Sequence, residues 1–461
     1  MTSFILCALI MTQSPLVARR DRPDGITLLV AEDHTLPRVA FRVALRSGQA
    51  VETEDQLGIA RIHSEMVLRG TKARSRAEFA EAIESLGSAL SDDVGSDNTV
   101  WGGEALSRQF ETTFSLLAEA LTQPAFAQAE TDRLVRECEA DRLMRRDDDS
   151  TLARLFFRRI VYARHPYGRD IIGSTKTLKS ITSDKLRAWH KARVVKSNMI
   201  IAASGDVSLA QLERLIDEYL GSLPKGSKGD AAISAPTDPQ GIKLYLIDKP
   251  ERTQSQILMG RPGLKAANPD FLAANVATTA FGGTFTAPLM HEVREVRGWS
   301  YGAYASLAES RERGAFALSS APAEGDTAPC VQLMFDLYGK FVRGEYPNEL
   351  FQFARGYLLN QFPFAIATPD ARVAEHLNAE LLNLPKDSVA TYVDRLSHLS
   401  LNDVRLVPRR YLDEAGLFIV VVGTAATLEP QLRALPFINE VQVLPFDAEL
   451  PSDWTWEKED E

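Results

Sequence analysis

The sequence contains little cysteine: Cys7, Cys138 and Cys330 are the only three in 461 residues. They are too few and too scattered for a disulfide framework or a cysteine-based zinc site. Long hydrophobic runs are also scarce. Charge or glycine interrupts each one except residues 3–11 (SFILCALIM), and that run is too short to span a bilayer. No transmembrane segment is therefore expected. A basic excess is missing as well, because 52 Lys and Arg face 62 Asp and Glu, for a net charge of −10. A dedicated nucleic-acid binder needs a basic footprint, so no nucleic-acid partner is expected. What is present is ordinary globular material, 45% apolar and 25% charged, able to bury a sizeable core.

Residues 3–11 fit the apolar centre of an export signal, with Leu16, Val17 and Ala18 as a candidate cleavage end before Arg19 and Arg20. The basic start of such a signal is absent. The alternatives are a mis-assigned start or a short N-terminal strand. Residues 1–18 are thus set apart. A periplasmic or otherwise exported protein is expected, with the cytoplasm as the alternative.

Periodicity organises the rest. Residues 25–31 predict a strand, and residues 38–46 alternate with period two, predicting a half-buried strand. Residues 58–69 and 76–86 carry helical spacing, the second ended by Gly87. A strand is expected around residues 99–102 and a helix over 107–122. Residues 129–163 read as one long Arg-rich helical region, broken at His165-Pro166-Tyr167-Gly168. That arginine stretch is either an electropositive wall or, preferably, a solvated face balanced by Asp147, Asp148 and Asp149. A helix over 182–191 starts at Thr182 or Ser183, and residues 198–204 predict a buried strand. Residues 181–215 and 399–432 repeat one order: helix, short loop, apolar strand, glycine, helix. The repeat argues for duplication of one α+β domain. The expected division is a first domain over 19–222, a Gly/Pro/Ser-rich exposed linker over 223–241 and a second domain over 242–446. Strands over 242–247 and 254–260 open the second domain. An acidic tail over 447–461, with Trp454 and Trp456, docks on a partner or frays.

Two stretches point to a function. The first is Gly58-Ile59-Ala60-Arg61-Ile62-His63-Ser64-Glu65-Met66-Val67-Leu68-Arg69-Gly70-Thr71. It resembles, without a gap, the zinc-helix segment of the pitrilysin/insulinase family of metallopeptidases, roughly G-[LI]-A-H-x-x-E-H-x-x-[FL]-[RK]-G-T. Gly58, Ala60, Met66, Arg69, Gly70 and Thr71 carry the match. The second runs from Gly282-Gly283 through Arg294-Glu295-Val296-Arg297-Gly298-Trp299-Ser300-Tyr301. It is similar to that family's C-terminal segment, L-R-E-x-R-G-L-x-Y. Residues 165–173 fit the family's H-P-Y-G-R-x-x-[IL]-G. The resemblance implies an α+β fold of two homologous halves. Each half is a mostly antiparallel sheet with helices packed on it, and both enclose a chamber with a partner chain.

The chemistry departs from that family. In H-x-x-E-H, two imidazoles one helical turn apart bind Zn²⁺ and the Glu serves as general base. At the matching positions this sequence has Arg61, Ser64 and Glu65, and the third ligand falls at Ala140 or Asp141. A guanidinium stays cationic and has no lone pair to give a metal, and a serine cannot replace the carboxylate base. No metal is expected in this chain. Two readings of the vacated site stand: an Arg61–Glu65–Asp141 cluster that replaces the metal's charge, or an ordinary i,i+4 surface pair. His63 lies two residues from Glu65 and does not share its helix face, so a helix-packing or interface role is expected of it.

The resemblance implies roles for residues that are retained. Arg294 matches the family's arginine that holds a peptide carbonyl or carboxylate, and Tyr301 its tyrosine that donates to the tetrahedral oxyanion. Gly282 and Gly283 open a turn that admits backbone or substrate. Residues 297–301 also read as a helix end, with Gly298 as the cap and a strand starting at Tyr301. Loss of the metal motif beside a retained Arg/Tyr pair resembles the non-catalytic subunit of a two-chain, mitochondrial-processing-type peptidase. Its partner would be a homologous subunit with intact H-x-x-E-H that holds the zinc. Unfolded peptides would be the substrates. The alternative is a proteolytically inert binding or assembly protein of the same fold. An enzyme active alone through other ligands is disfavoured by Arg61.

Overall fold

The computed structural model describes residues 17–229, 232–451 and 454. The apolar run at residues 3–11 and Trp456 lie outside the described residues.

The first sheet contains β1 (Val17–Asp21), β2 (Thr27–Glu32), β3 (Arg38–Leu45), β4 (Ala89–Val94), β5 (Thr99–Leu106) and β6 (Met199–Gly205), in the order β1-β2-β6-β3-β5-β4. Only β2 and β6 run parallel. One face packs on helices Ile59–Val67, Ser107–Thr122, Ser183–Arg193 and Leu209–Tyr219 through Phe41, Phe110, Phe114 and Trp101. Leu29, Ala31, Ala44, Ile200 and Ala202 form the other face. They lie under Val373, Leu377 and Leu381 of helix Pro369–Leu381. This helix explains why β3, expected to be half-buried, is buried on both sides. Arg42, on its covered face, pairs with Asp370 at 2.9 Å.

The second sheet contains β7 (Ile242–Asp248), β8 (Gln256–Pro262), β9 (Ala303–Leu307), β10 (Ala315–Ser320), β11 (Leu417–Gly423) and β12 (Glu440–Pro445), in the order β12-β7-β11-β8-β10-β9. β7 runs parallel to β11 and β12, and the other pairs are antiparallel. Helices Phe271–Gly282, Thr327–Val342 and Leu401–Tyr411 supply one side of its core. Helix Asp149–Tyr162 packs on β8 and β11 from the other side. The α+β class and the two duplicated sheet-plus-helix halves stand as expected.

The two compact units are not the two linear halves. The first gathers residues up to Asp141 with Asp170–Ala232 and Asn360–Val389; the second gathers Arg142–Arg169, Ile233–Leu359 and Ala390 onward. Each sheet takes one helix from the opposite half of the sequence. The expected domains 19–222 and 242–446 omit this exchange. The physical reason is that a sheet apolar on both faces needs two helical layers.

Other expectations need correction. The single helical region over 129–163 is two helices, Gln128–Met144 and Asp149–Tyr162. Asp148 caps the second by accepting from the Thr151 amide at 2.7 Å. Buried Lys249 donates to the carbonyls of Arg146 (2.7 Å) and Asp147 (2.9 Å) and to Asp149 (2.5 Å). The break therefore meets its orphan carbonyls with a cation. Nor is the arginine stretch simply solvated, since Arg159 is buried and bonds the Ala163 and Pro451 carbonyls. The linker is anchored: Gly229 N–H bonds Asn198 at 3.0 Å, and Asp238 holds Arg261 (2.8 Å) and Arg313 (2.6 Å). In the tail, Trp454 meets Tyr245 edge-on at 5.9 Å, and Glu449 pairs with Arg142 at 2.8 Å.

Candidate functional site

The first unit's site centres on helix Ile59–Val67. Gly58 starts it at φ +91°, and a Cβ there would lie 2.2 Å from the Ile172 carbonyl, so only glycine fits. Buried Glu52 accepts from the amides of Gly58 (3.0 Å) and Ala60 (2.8 Å), placing a carboxylate at the positive end of the helix. Ile59, Ile62, Met66 and Val67 face the core. Arg61, Ser64 and Glu65 recur at i, i+3 and i+4 and so share one side.

An ion-pair ladder occupies that side. Arg61 reaches Glu65 at 2.9 Å and Asp92 of β4 at 3.4 Å. Glu65 also holds Arg69, which is 8% exposed. Arg69 in turn meets Glu137 at 2.5 Å and Glu130 at 3.7 Å. The guanidinium of Arg69, with Arg133 next, holds the Glu137 carboxyl below the usual range. Burial raises that of Asp92, opposed by Ser64 and Arg61. Burial also pushes the Cys138 thiol up to about 11, so it stays neutral. An arginine–carboxylate cluster, one of the two readings of the vacated site, is present, with the second carboxylate of Arg61 on β4. Asp141 is half-buried and lies a turn beyond Glu137 on the same helix, while Ala140 is exposed.

His63 faces the opposite way, into the core. Its Nε2 lies 3.0 Å from His190 Nδ1, and His190 Nε2 lies 3.0 Å from the Leu121 carbonyl. A carbonyl only accepts, so His190 carries its proton on Nε2 and accepts from His63 through Nδ1. Burial moves His63 well below its ordinary pKa and His190 down to about 4. Both are neutral near pH 7. The pair is a packing device, as expected of His63, although its partner lies far along the chain.

The second unit holds Arg294 and Tyr301. Helix Phe271–Gly282 crosses β9 so closely that a Cβ on Gly282 would sit 2.7 Å from both the N and Cβ of Ala305. Gly282 therefore admits the chain's own backbone; Gly283 caps the same helix. The following turn widens into a π-helical segment, His291–Val296, a geometry often used to re-aim a side chain. Gly298 ends it at φ +66°, with its N–H bonded to the Arg294 carbonyl and the Trp299 N–H bonded to that of Val293, both at 3.1 Å. The bond from the Gly298 N–H to the Arg294 carbonyl is that of the αL cap, so Gly298 is the expected cap. The next strand starts at Ala303 rather than Tyr301.

Arg294 lies over the ring of Phe285, Cζ to centroid 4.2 Å, and its Nε is 3.5 Å from Glu295. Its Nη1 is buried without a hydrogen-bond partner. Tyr301 is 92% exposed, and among the described residues nothing hydrogen-bonds its hydroxyl. Arg294 thus holds one buried nitrogen without a partner, and Tyr301 an exposed hydroxyl.

Comparison with known proteins agrees with this fold. The family model for insulinase (peptidase family M16) matches residues 27–175, and that for the peptidase M16 inactive domain matches residues 180–358. The chain belongs to the M16 family. A Pseudomonas fluorescens structure described as a peptidase M16 inactive domain has the same fold. Its TM-score is 0.83 at 23% identity, over 88% of this chain and 98% of that one. The periplasmic protease PqqL of Escherichia coli gives 0.74 at 14% identity, over 93% of this chain and 51% of that one. Among curated relatives, "Non-peptidase homolog YmxG" of Helicobacter pylori is 22% identical over 86% of this chain and 92% of its own. An "uncharacterized zinc protease" of Mycobacterium bovis is 23% identical over 90% of this chain and 96% of its own.

The M16 zinc does not fit this chain's residues. The first-ligand position carries a guanidinium already neutralised by Glu65 and Asp92, and Glu65, at the second, is committed to Arg69 as well. Among the described residues, no three His, Cys, Asp or Glu are grouped to hold a metal ion. Asp92, Glu137, Glu52, His190 and Phe285 complete these surroundings, and reading the sequence did not single them out. No helix among the described residues is long and apolar enough to cross a membrane.

Proposed function

We propose that this M16 chain is the zinc-free subunit of a two-chain zinc endopeptidase, inactive alone, which lends Arg294 and Tyr301 to a homologous partner bearing H-x-x-E-H. Unfolded peptides are its substrates. One observation carries the reading. Arg294 stands part-exposed with one nitrogen, Nη1, unpartnered, and Tyr301 presents an exposed hydroxyl that serves no contact in the fold of the described residues. Arg294 would hold a carbonyl or carboxylate of an extended peptide. The Tyr301 hydroxyl would donate to oxygen that gains charge only in the transition state. Ladder formation by Arg61, Glu65 and Arg69 supports assigning the zinc to the partner. An exported location is supported by the apolar run at residues 3–11 and by the likeness to a periplasmic protease.

The second reading, an inert binding or assembly protein, is favoured by the relative named a non-peptidase homolog. One experiment separates the two. Zinc content and peptide hydrolysis are measured on the chain alone and on its complex with the zinc-bearing partner. The chain alone should hold substoichiometric zinc and cleave nothing. In the complex, Tyr301→Phe should lower kcat about 100-fold to 1,000-fold, the usual effect of losing one oxyanion donor. A Tyr301→Phe complex with wild-type kcat would leave the inert reading in place.

A further inference from the structure

Phe285 stands 58% exposed on the turn after Gly283 and takes no part in the second core. An exposed phenylalanine there does nothing for packing, yet its face carries the Arg294 guanidinium at 4.2 Å. Glu295 engages Nε from the side. The occluded Nη1 has no partner. Nη1 itself is closed to solvent, but the side chain as a whole is 34% exposed, and an acceptor arriving from outside meets its exposed N–H groups. A guanidinium is planar, so fixing its plane fixes the direction of its donors.

We propose that Phe285 is a positioning residue for Arg294. The ring sets the guanidinium plane so that its free donors converge on one carbonyl or carboxylate oxygen of an extended peptide. The inference rests on the reading above that Arg294 meets peptide. It adds the residue that aims Arg294 and the kind of atom that completes it. Apolar bulk alone cannot do this, because the attraction comes from the negative face of the aromatic ring.

The test uses the complex with its zinc-bearing partner and a quenched-fluorescent peptide, comparing Phe285→Leu, Phe285→Tyr and Arg294→Ala. Phe285→Leu should raise KM about 5-fold and leave kcat within about 2-fold, the scale of one cation–π contact. Phe285→Tyr should restore the wild-type KM. Melting of the isolated variants should match wild type, since the ring is exposed. Phe285→Leu at wild-type KM, with Arg294→Ala raised, would overturn the role of Phe285 alone. An equal KM rise in Phe285→Tyr and Phe285→Leu would also overturn it. Arg294→Ala at wild-type KM, or an inactive wild-type complex, would overturn the reading beneath it and this inference together.

Discussion

Acid should weaken this protein through one buried pair of imidazoles. His190 is held neutral by burial, its pKa moved from 6.5 down to about 4. A depressed pKa means that the unfolded chain binds the proton first. The pair's contribution is complete above about pH 6.5 and is lost as pH falls toward about 4. At pH 5 the unfolded imidazole is almost fully protonated and the folded one mostly is not. For His190 alone, the change from pH 7 to pH 5 is then about 2 kcal/mol. His63 is shifted in the same direction by burial and by the neighbouring His190. At about 2.1 cal/mol/K per residue over 461 residues, the loss corresponds to about 2 °C in melting temperature. The assay is calorimetry of wild type and of His63→Phe/His190→Leu at both pH values. His376, also depressed by burial, is present in both proteins and cancels. The wild type should lose about 2 °C more than the variant on going to pH 5. Equal losses would refute the argument, because neither imidazole would then be held neutral.

Three further outcomes follow from the same geometry. Arg69→Met should destabilise by about 3 kcal/mol, since it removes the buried cation between Glu65 and Glu137 and leaves them only the more exposed Arg61 and Arg133, whereas Arg61→Ala, at a more exposed pair, should cost under about 1 kcal/mol; urea denaturation compares them. Gly282→Ala should cost about 1–3 kcal/mol by pushing the helix off β9, read as a lower melting temperature of the isolated chain. Tyr301→Phe should change unfolding free energy by less than about 0.5 kcal/mol, because its side chain is exposed; a larger loss would mean a structural rather than a donor role.

Local features were the most legible in the sequence. The Thr182 cap, the Gly298 helix end and the duplicated strand-and-helix order all follow from neighbours in the chain, and the structure has them. The Arg61–Glu65 pair was visible for the same reason. What stayed hidden depends on residues brought together from far apart. Asp92 reaches Arg61 only through the placement of β4, and His190 finds His63 across helix packing. The break before Asp149 depends on Lys249, and no helical periodicity encodes a lysine that arrives later in the chain. β3 read as half-buried because its covering helix lies over 369–381. Phe285 was not singled out, because only the widened segment places Arg294 above it.

The exchanged helices set a timetable for biosynthesis. While the ribosome is still making the second half, Leu29, Ala31, Ile200 and Ala202 have no cover, because Val373 and Leu377 do not yet exist. Nascent strands with one bare apolar face are what holdase chaperones bind and what aggregates without them. The same dependence bears on gene architecture. A chain cut near residue 241 would release a first half that lacks its own cover and carries helix Asp149–Tyr162, which the other sheet needs. Carrying both halves on one polypeptide keeps the effective concentration of each missing piece high enough for both to fold.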